Sequence, residues 1–404
     1  MRLRRCAATL ATMMLYACVG GGSPIAAAAP GPALAEGMAS GPSGIASRRH
    51  SYHVPPTLAR AAVVGDEPLT GPRRIDFVGV HWRGSRRDGG RVRFRHDGEW
   101  AAWQPLHAGE IHPPGRVASE LVSAGRATAY QVRAPYGATD VRAVAINTTD
   151  GQHETVSQSR TTRAARAIGL SGLGLGSGGP CYRSRAQWGA DESLRFDPNG
   201  AELWPAKFFP AQRLTIHHTV TDPATAGGET DPAAIVRAIY RYHAVDLGWG
   251  DIGYQLLIDQ QGCVYEGRYS GPDALPVYTM AATPSTPQAV NAGHTLGYNP
   301  GNIGIALLGN FNEIEPSEPS LRALTATLAA LSLVSGLDPQ GHGTYVNPIS
   351  GVTKDTYAIG GHRDWLATEC PGTNLYARLP ELRENVASLL RSTKPSSLVA
   401  HAAL

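Results

Sequence analysis

The chain is 404 residues long, with 42% apolar residues, a formal net charge of +3, 47 glycines and 30 prolines. That length accommodates two ordinary domains plus tails, and the apolar content supports a packed core, which excludes a wholly disordered chain. The small net charge, with a basic side made up almost entirely of arginine, gives no case for nucleic-acid binding.

Met1-Arg2-Leu3-Arg4-Arg5 is a basic start, followed by an apolar stretch over residues 6–19 and then small residues, with Ala27-Ala28-Ala29 and Ala33-Leu34-Ala35 as cleavage candidates. This predicts a signal peptide over residues 1–35 and a secreted protein. The apolar run is too short to span a bilayer, and no later segment is a transmembrane candidate. Leu15-Tyr16-Ala17-Cys18 is close to a bacterial lipoprotein box, but Tyr16 is bulky for its position, so soluble secretion is favoured over a lipid anchor at Cys18. Residues 36–70, rich in Ala, Gly, Pro, Ser and Arg with no sustained period, read as a disordered leader.

Over residues 71–150, short alternating segments such as Ile75–Trp82, Arg91–Arg95, Tyr130–Arg133 and Val141–Ile146 recur between turn signals and predict a small all-β sandwich. Trp100 and Trp103 read as core residues ahead of sugar-stacking platforms. The arginine run from Arg83 to Arg95 reads as a solvated face, with contact to anionic polymers as the lesser reading. Residues 151–180, ending in a Gly-Leu-Ser-rich tract, are a flexible linker.

From Cys181 onward strands and helices alternate. Leu214–His217, Tyr254–Asp259, Cys263–Arg268 and Ile303–Leu308 read as strands, the last apolar enough to be central. Helices are predicted over Pro232–His243 with Asp231 as N-cap, over Leu321–Val334 and over Leu379–Leu390. The pattern predicts an α/β domain over 181–392, a mixed central β-sheet flanked by helices, with a frayed tail over 393–404.

Chemistry concentrates in Gly361-His362-Arg363-Asp364 and Cys370-Pro371-Gly372, which place an imidazole and a thiol eight residues apart. Zinc accepts both, and a catalytic zinc takes three protein ligands with one position left open. The third ligand has a source in Ile216-His217-His218-Thr219. Successive side chains on a strand face opposite ways, so only one of His217 and His218 can serve, and spacing alone does not decide which. After the signal, Cys181, Cys263 and Cys370 remain, an odd count that leaves one thiol to explain. With Cys370 on a metal, Cys181 and Cys263 can pair in an oxidising exterior; three unrelated buried thiols are the alternative.

These motifs stand in order with Arg183–Ala190, Gly248–Tyr254, Gly262–Arg268 and Asn302–Phe311. Together they resemble the peptidoglycan recognition protein family and the type-2 zinc N-acetylmuramoyl-L-alanine amidases of bacteria and phages, over residues 181–392. Residues 71–150 resemble the accessory module found ahead of such domains in secreted actinobacterial amidases. The resemblance implies that His217, His362 and Cys370 hold Zn2+, that Tyr254 assists catalysis at the oxyanion, and that Thr368 stands where a phage relative has Lys. It also implies that His294 contacts substrate in the groove, with His243 at a further family position where a packed structural role is equally expected. Glu369, next to Cys370, matches no catalytic position of the family and reads as an exposed carboxylate.

The implied activity is hydrolysis of the amide between N-acetylmuramic acid and L-alanine in bacterial peptidoglycan, by a monomeric, wall-associated secreted enzyme. A non-catalytic peptidoglycan-binding module and a zinc endopeptidase acting within the stem peptide are the competing readings. Retention of His217, His362 and Cys370 favours an enzyme, and only the resemblance disfavours the endopeptidase. The β module is expected to serve attachment to the wall and to leave the chemistry to the second domain.

Overall fold

In the N-terminal half the alternation of apolar and polar side chains builds strands throughout. The computed structural model describes residues 50–85, 88–112, 115–150, 154–158, 181–221, 231–271, 276–279 and 287–392. The expected signal peptide, most of the linker and the C-terminal tail lie outside the described residues. The strands are β1 (His50–Val54), β2 (Leu58–Val63), β3 (Ile75–Arg83), β4 (Arg91–His96), β5 (Glu99–Trp100), β6 (Gln104–Pro105), β7 (Ala108–His112), β8 (Arg116–Ser119), β9 (Val122–Ala127), β10 (Ala129–Arg133), β11 (Thr139–Asn147) and β12 (Glu154–Gln158). One sheet has the order β2-β11-β3-β8-β7 with β9 also on β3; the other has β10-β4-β5 with β6 also on β4. Their inner faces share a core that includes Ile75, Val80, Val92, Phe94 and Tyr130.

Two boundaries differ from the sequence expectation. β1 and β2 fall in the stretch read as a disordered leader, and β12 falls in the stretch read as linker. β2 is held by main-chain pairing along β11, and its Leu-Ala-Arg-Ala-Ala-Val sequence carries too little apolar contrast to show a period. β1 and β12 pair antiparallel with each other, a long-range partnership that no local pattern reveals.

The second half contains β13 (Tyr182–Arg183), α1 (Arg185–Trp188), β14 (Phe208–Pro210), β15 (Arg213–His218), α2 (Pro232–Arg241), β16 (Leu256–Ile258), β17 (Val264–Glu266), β18 (Gln288–Val290), β19 (Asn302–Leu307), α3 (Glu318–Ser335), β20 (His342–Val346), β21 (Thr353–Tyr357), β22 (Ile359–Gly361), α4 (Thr373–Ala377) and α5 (Leu379–Ser392). The central sheet runs β13-β17-β16-β19-β15-β22, and only the β16–β17 pair is antiparallel. β14–β18 and β20–β21 form two small satellite pairs. β19 is buried at every residue because helices cover both faces of the sheet. Leu324, Leu328 and Leu331 of α3 and Val386 of α5 pack with Ile216 and Ile305 on one side. Ser317 caps α3 by accepting from Ser320 N–H, and Gly336 ends it in the left-handed conformation. Cys181 and Cys263 form a disulfide that closes an 82-residue separation and ties the start of the domain to the sheet. On loop entropy such a link stabilises by about 4–5 kcal/mol.

The other face explains why α2 is buried at every residue from Ala233 to Tyr240. Its inner side lies on the sheet and its outer side, including Arg237, lies under the β module, so both faces are covered. Phe77, Val144 and Ile146 of the module share one cluster with Ile239 and Tyr242. Arg237 donates to the carbonyl of Thr148 (3.1 Å), and the Tyr242 hydroxyl donates to the carbonyl of Ser119 (3.1 Å). The described residues of both halves accordingly form one compact unit. No helix of the described residues is long and apolar enough to cross a membrane.

Gly79 is the tightest point of this seam. A Cβ there would stand 2.3 Å from the Tyr242 ring. We expect Gly79→Ala to cost roughly 1–3 kcal/mol, the range for overpacking a filled core. Gly65→Ala, where a Cβ meets nothing within 4 Å, serves as the neutral control. Thermal unfolding of the full chain checks this, and equal melting temperatures for the two variants would count against a close-packed seam.

Candidate metal centre

The parallel strands β15, β19 and β22 end side by side, and the chemistry-bearing residues sit at or just past their carboxyl ends, where ligands bind in sheets of this kind. β15 ends in His217 and His218, whose rings point to opposite sides of the strand. His217 faces inward, with ring centroids 4.6 Å from His362, 5.0 Å from His294 and 5.3 Å from Tyr254. His218 turns the other way and stacks on Phe311. β22 delivers His362 directly after Gly361. The turn that follows is held by Asp364, which accepts from Gly361 N–H (2.7 Å), and by Arg363 N–H donating to the Cys370 carbonyl (3.0 Å). Cys370 thereby reaches His217, with Sγ 3.6 Å from Nδ1.

One ligand atom each from His217, His362 and Cys370 lies within 4.8 Å of the others. Two imidazoles and a thiol form a donor set suited to zinc. Burial, then the neighbouring His362, His294 and His218, holds the His217 pKa well below its ordinary value, so its imidazole is neutral at pH 7. Burial likewise pushes His294 down to about 3.

Hydrogen bonding then decides which His217 nitrogen is bare. His294 Nε2 lies 3.0 Å from the carbonyl of Asn302, which can only accept, so Nε2 carries the proton and His294 Nδ1 is an acceptor. Thr295 Oγ1 also lies 2.8 Å from that Nδ1; with the Thr295 hydroxyl proton turned elsewhere, His217 Nε2, 3.0 Å away, is its donor. The remaining lone pair of His217 is on Nδ1, the atom that faces Cys370. This is the second-layer arrangement that orients metal-binding histidines. The main-chain N–H of His218 donates to Cys370 Sγ (3.4 Å) and helps to hold it beside His217. Gly304, mid-strand in β19, makes the room: a Cβ there would fall 2.5 Å from the His294 ring.

Two residues expected at the substrate groove are buried. His294 is 1% exposed, with its nitrogens on His217, Asn302 and Thr295, and it lines a small recess with His243, Trp249 and Tyr254 beneath Ser119 and Glu120 of the module. His243 is also buried. Its Nδ1 accepts from Gly253 N–H (3.1 Å) and its ring packs between Trp249 and Tyr254, behind the site. Tyr254 itself is nearly buried beside His217. Thr368 lines the open cleft, and its Oγ1 accepts from Cys370 N–H (3.3 Å).

That cleft has a volume of about 440 Å3 and lies over Cys370, Thr368 and His218. Its opposite wall comes from the β module, through Asp88, Arg91, His107 and Glu120. His107 Nδ1 reaches Glu369 Oε2 at 3.5 Å, which closes one end of the wall onto the Cys370 loop. The module therefore borders the site, where the sequence reading kept it to attachment. No local signal in residues 88–120 announces this, because the contact depends on how α2 seats the module. Asn302 was equally silent, since it acts through its carbonyl; the mid-strand glycine two residues later was the one available sign.

A family model described as N-acetylmuramoyl-L-alanine amidase matches residues 207–373. The chain is 31% identical over 199 residues to the human N-acetylmuramoyl-L-alanine amidase, a match covering 49% of this chain but only 28% of that protein. It is 35% identical over 167 residues to a peptidoglycan recognition protein of Trichoplusia ni, covering 41% of this chain and 72% of the relative. Among solved structures, wild-type Drosophila PGRP-LB aligns with 26% identity and a TM-score of 0.35, over 49% of this chain and 91% of that one.

The Asn302–His294–His217 relay makes a direct prediction. His294→Phe removes the acceptor while keeping a buried ring, and should weaken metal affinity about 10–100-fold, the usual cost of losing a second-layer partner. Competition against a chromophoric chelator measures it, and an unchanged affinity would refute the relay.

Proposed function

Because the chain belongs to the family of N-acetylmuramoyl-L-alanine amidases and peptidoglycan recognition proteins, we propose that it is a zinc-dependent amidase cutting the bond between N-acetylmuramic acid and L-alanine in bacterial peptidoglycan. The observation that carries this reading is the cluster of His217, His362 and Cys370, with a bare His217 Nδ1 aimed at the thiol. A member that only recognises peptidoglycan has no use for a converging donor set of this kind beside an open cleft. Zinc, when bound, supplies Lewis acidity toward the scissile carbonyl and lowers the pKa of water at the site toward neutrality.

The chain's own residues do the rest. His217 is kept neutral by burial and aimed by His294. The Tyr254 hydroxyl, beside His217, donates to the oxygen that gains charge as the carbonyl is attacked. Thr368 accepts from Cys370 N–H at its oxygen and keeps its hydroxyl proton to donate into the cleft. The module wall opposite Cys370 limits solvent access on that side of the substrate. The signal-like N-terminus and the Cys181–Cys263 disulfide support export to an oxidising compartment, with the enzyme acting as a wall-associated monomer.

Cys370→Ala should abolish metal binding and hydrolysis together. Tyr254→Phe should keep the metal and lower the rate roughly 10²–10³-fold, the range for one lost oxyanion donor. Mass spectrometry of digested peptidoglycan should find peptides with a free L-alanine amino terminus and no new reducing sugars. New amino termini inside the stem peptide, or full activity after the metal is chelated, would defeat the assignment.

A further inference from the structure

The outer face of the sheet β10-β4-β5 carries a device that the metal centre does not use. Along β4, Val92 and Phe94 turn inward, so Arg91, Arg93 and Arg95 all point outward, about 7 Å apart by strand geometry. Arg133 of β10 lies opposite Arg91, and Trp100 of β5 lies opposite Arg95. Arg93 stands over both indoles, with Cζ 4.7 Å from the centroid of Trp100 and 4.7 Å from that of Trp103. Arg133 stacks on Trp103 (4.2 Å) and Arg95 on Trp100 (5.6 Å). Gln131 locks the centre of the row, its Oε1 accepting from Arg93 Nε (2.9 Å) and Nη2 (2.6 Å).

Two consequences follow from these contacts. Each indole is engaged by two guanidiniums, so the tryptophans, neither core residues nor free platforms for a sugar, serve to hold the arginines in a row. The charge on that row is also not neutralised: among the described residues no carboxylate forms an ion pair with Arg91, Arg93, Arg95 or Arg133. Asp66 approaches only through its main-chain carbonyl, which takes the Gln131 amide (3.1 Å). Three guanidiniums held by the indoles, with the exposed Arg91 beside them, form a preorganised surface for a ligand with repeated anionic groups. The row is continuous with the cleft, because Arg91 is at once its first member and a residue of the cleft wall opposite Cys370.

We propose that this arginine–tryptophan face is an extended binding surface for carboxylates on the substrate polymer beyond the unit being cut, entered from the cleft at Arg91. The proposal rests on the amidase reading for the identity of the polymer, and its test is a binding measurement that does not depend on turnover.

The experiment compares the full chain with Arg95→Gln/Arg133→Gln, both in the Tyr254→Phe background so that the polymer is not consumed. Sedimentation with purified sacculi is run in three arms: untreated, stripped of phosphodiester polymers with hydrofluoric acid, and stripped with carboxylates amidated by carbodiimide. The double variant should bind stripped sacculi about tenfold more weakly than its parent, as expected for two lost ion pairs. That gap should close on amidated sacculi, and Arg95→Lys/Arg133→Lys should keep most of the affinity. Equal binding by parent and double variant on stripped sacculi would overturn the proposal. A gap present on untreated sacculi and absent after stripping would overturn it too, by making a phosphodiester polymer the partner. If the glutamine variant fails to show a native melt, Arg91→Gln/Arg95→Gln reads the same face without touching the Trp103–Arg133 stack. If the wild-type chain hydrolyses nothing, the amidase reading fails while the binding arms still decide this one.

Discussion

A single main-chain carbonyl organises the centre of this molecule. The oxygen of Asn302 can only accept, and at 3.0 Å from His294 Nε2 it dictates where the proton of that ring sits. His294 Nδ1 then accepts, and with His217 Nε2 as its donor in place of the nearby Thr295 hydroxyl, His217 Nδ1 is left bare toward Cys370. The same strand supplies the space for this, since Gly304 leaves the His294 ring unobstructed. Burial contributes by keeping both imidazoles neutral, which a metal ligand and its orienting partner both require. Strand β19, apolar and buried along its whole length, is thus the part of the fold on which the site's protonation depends.

The second organising feature is a helix covered on both sides. α2 is amphipathic, yet its residues from Ala233 to Tyr240, Arg237 included, are all buried, because the β module lies on the outer side. That packing brings Asp88, Arg91, His107 and Glu120 to the mouth of the cleft. The shape of the cleft is therefore a property of both halves of the chain.

Much of this was legible beforehand, and the limits have physical causes. The helices were readable from their period: Asp231 accepts from the first turn of α2 as expected, α5 starts at Leu379 as its pattern indicates, and α3 begins at Glu318, three residues before the expected Leu321. The cysteine count pointed to a Cys181–Cys263 pair, which the structure contains. The residues that meet at the centre, His217, His362 and Cys370, could be picked out because ligand chemistry restricts residue type. The roles of His294 and His243 were not readable, since a histidine that touches substrate and one that orients a neighbour look alike in a sequence. Both are buried, His294 against His217 and His243 against Gly253. Trp100 and Trp103 were read as core because nothing local shows that arginines one strand away occupy their rings. β1, β2 and β12 went unread because they are held by distant main-chain partners, and their own side chains carry little contrast.

The seating of Tyr242 has a structural consequence. Its hydroxyl is bonded to the module at the carbonyls of Ser119 and Val80, and its main chain continues into the turn that carries His243. His243 in turn holds Gly253 N–H through Nδ1 and Trp249 N–H through its carbonyl, and the next residue after Gly253 is Tyr254. A short path of hydrogen bonds therefore runs from the module to the residue next in chain to Gly253, beside His217. The turn over Tyr242–Asp246 thus joins the module to the segment that presents Tyr254.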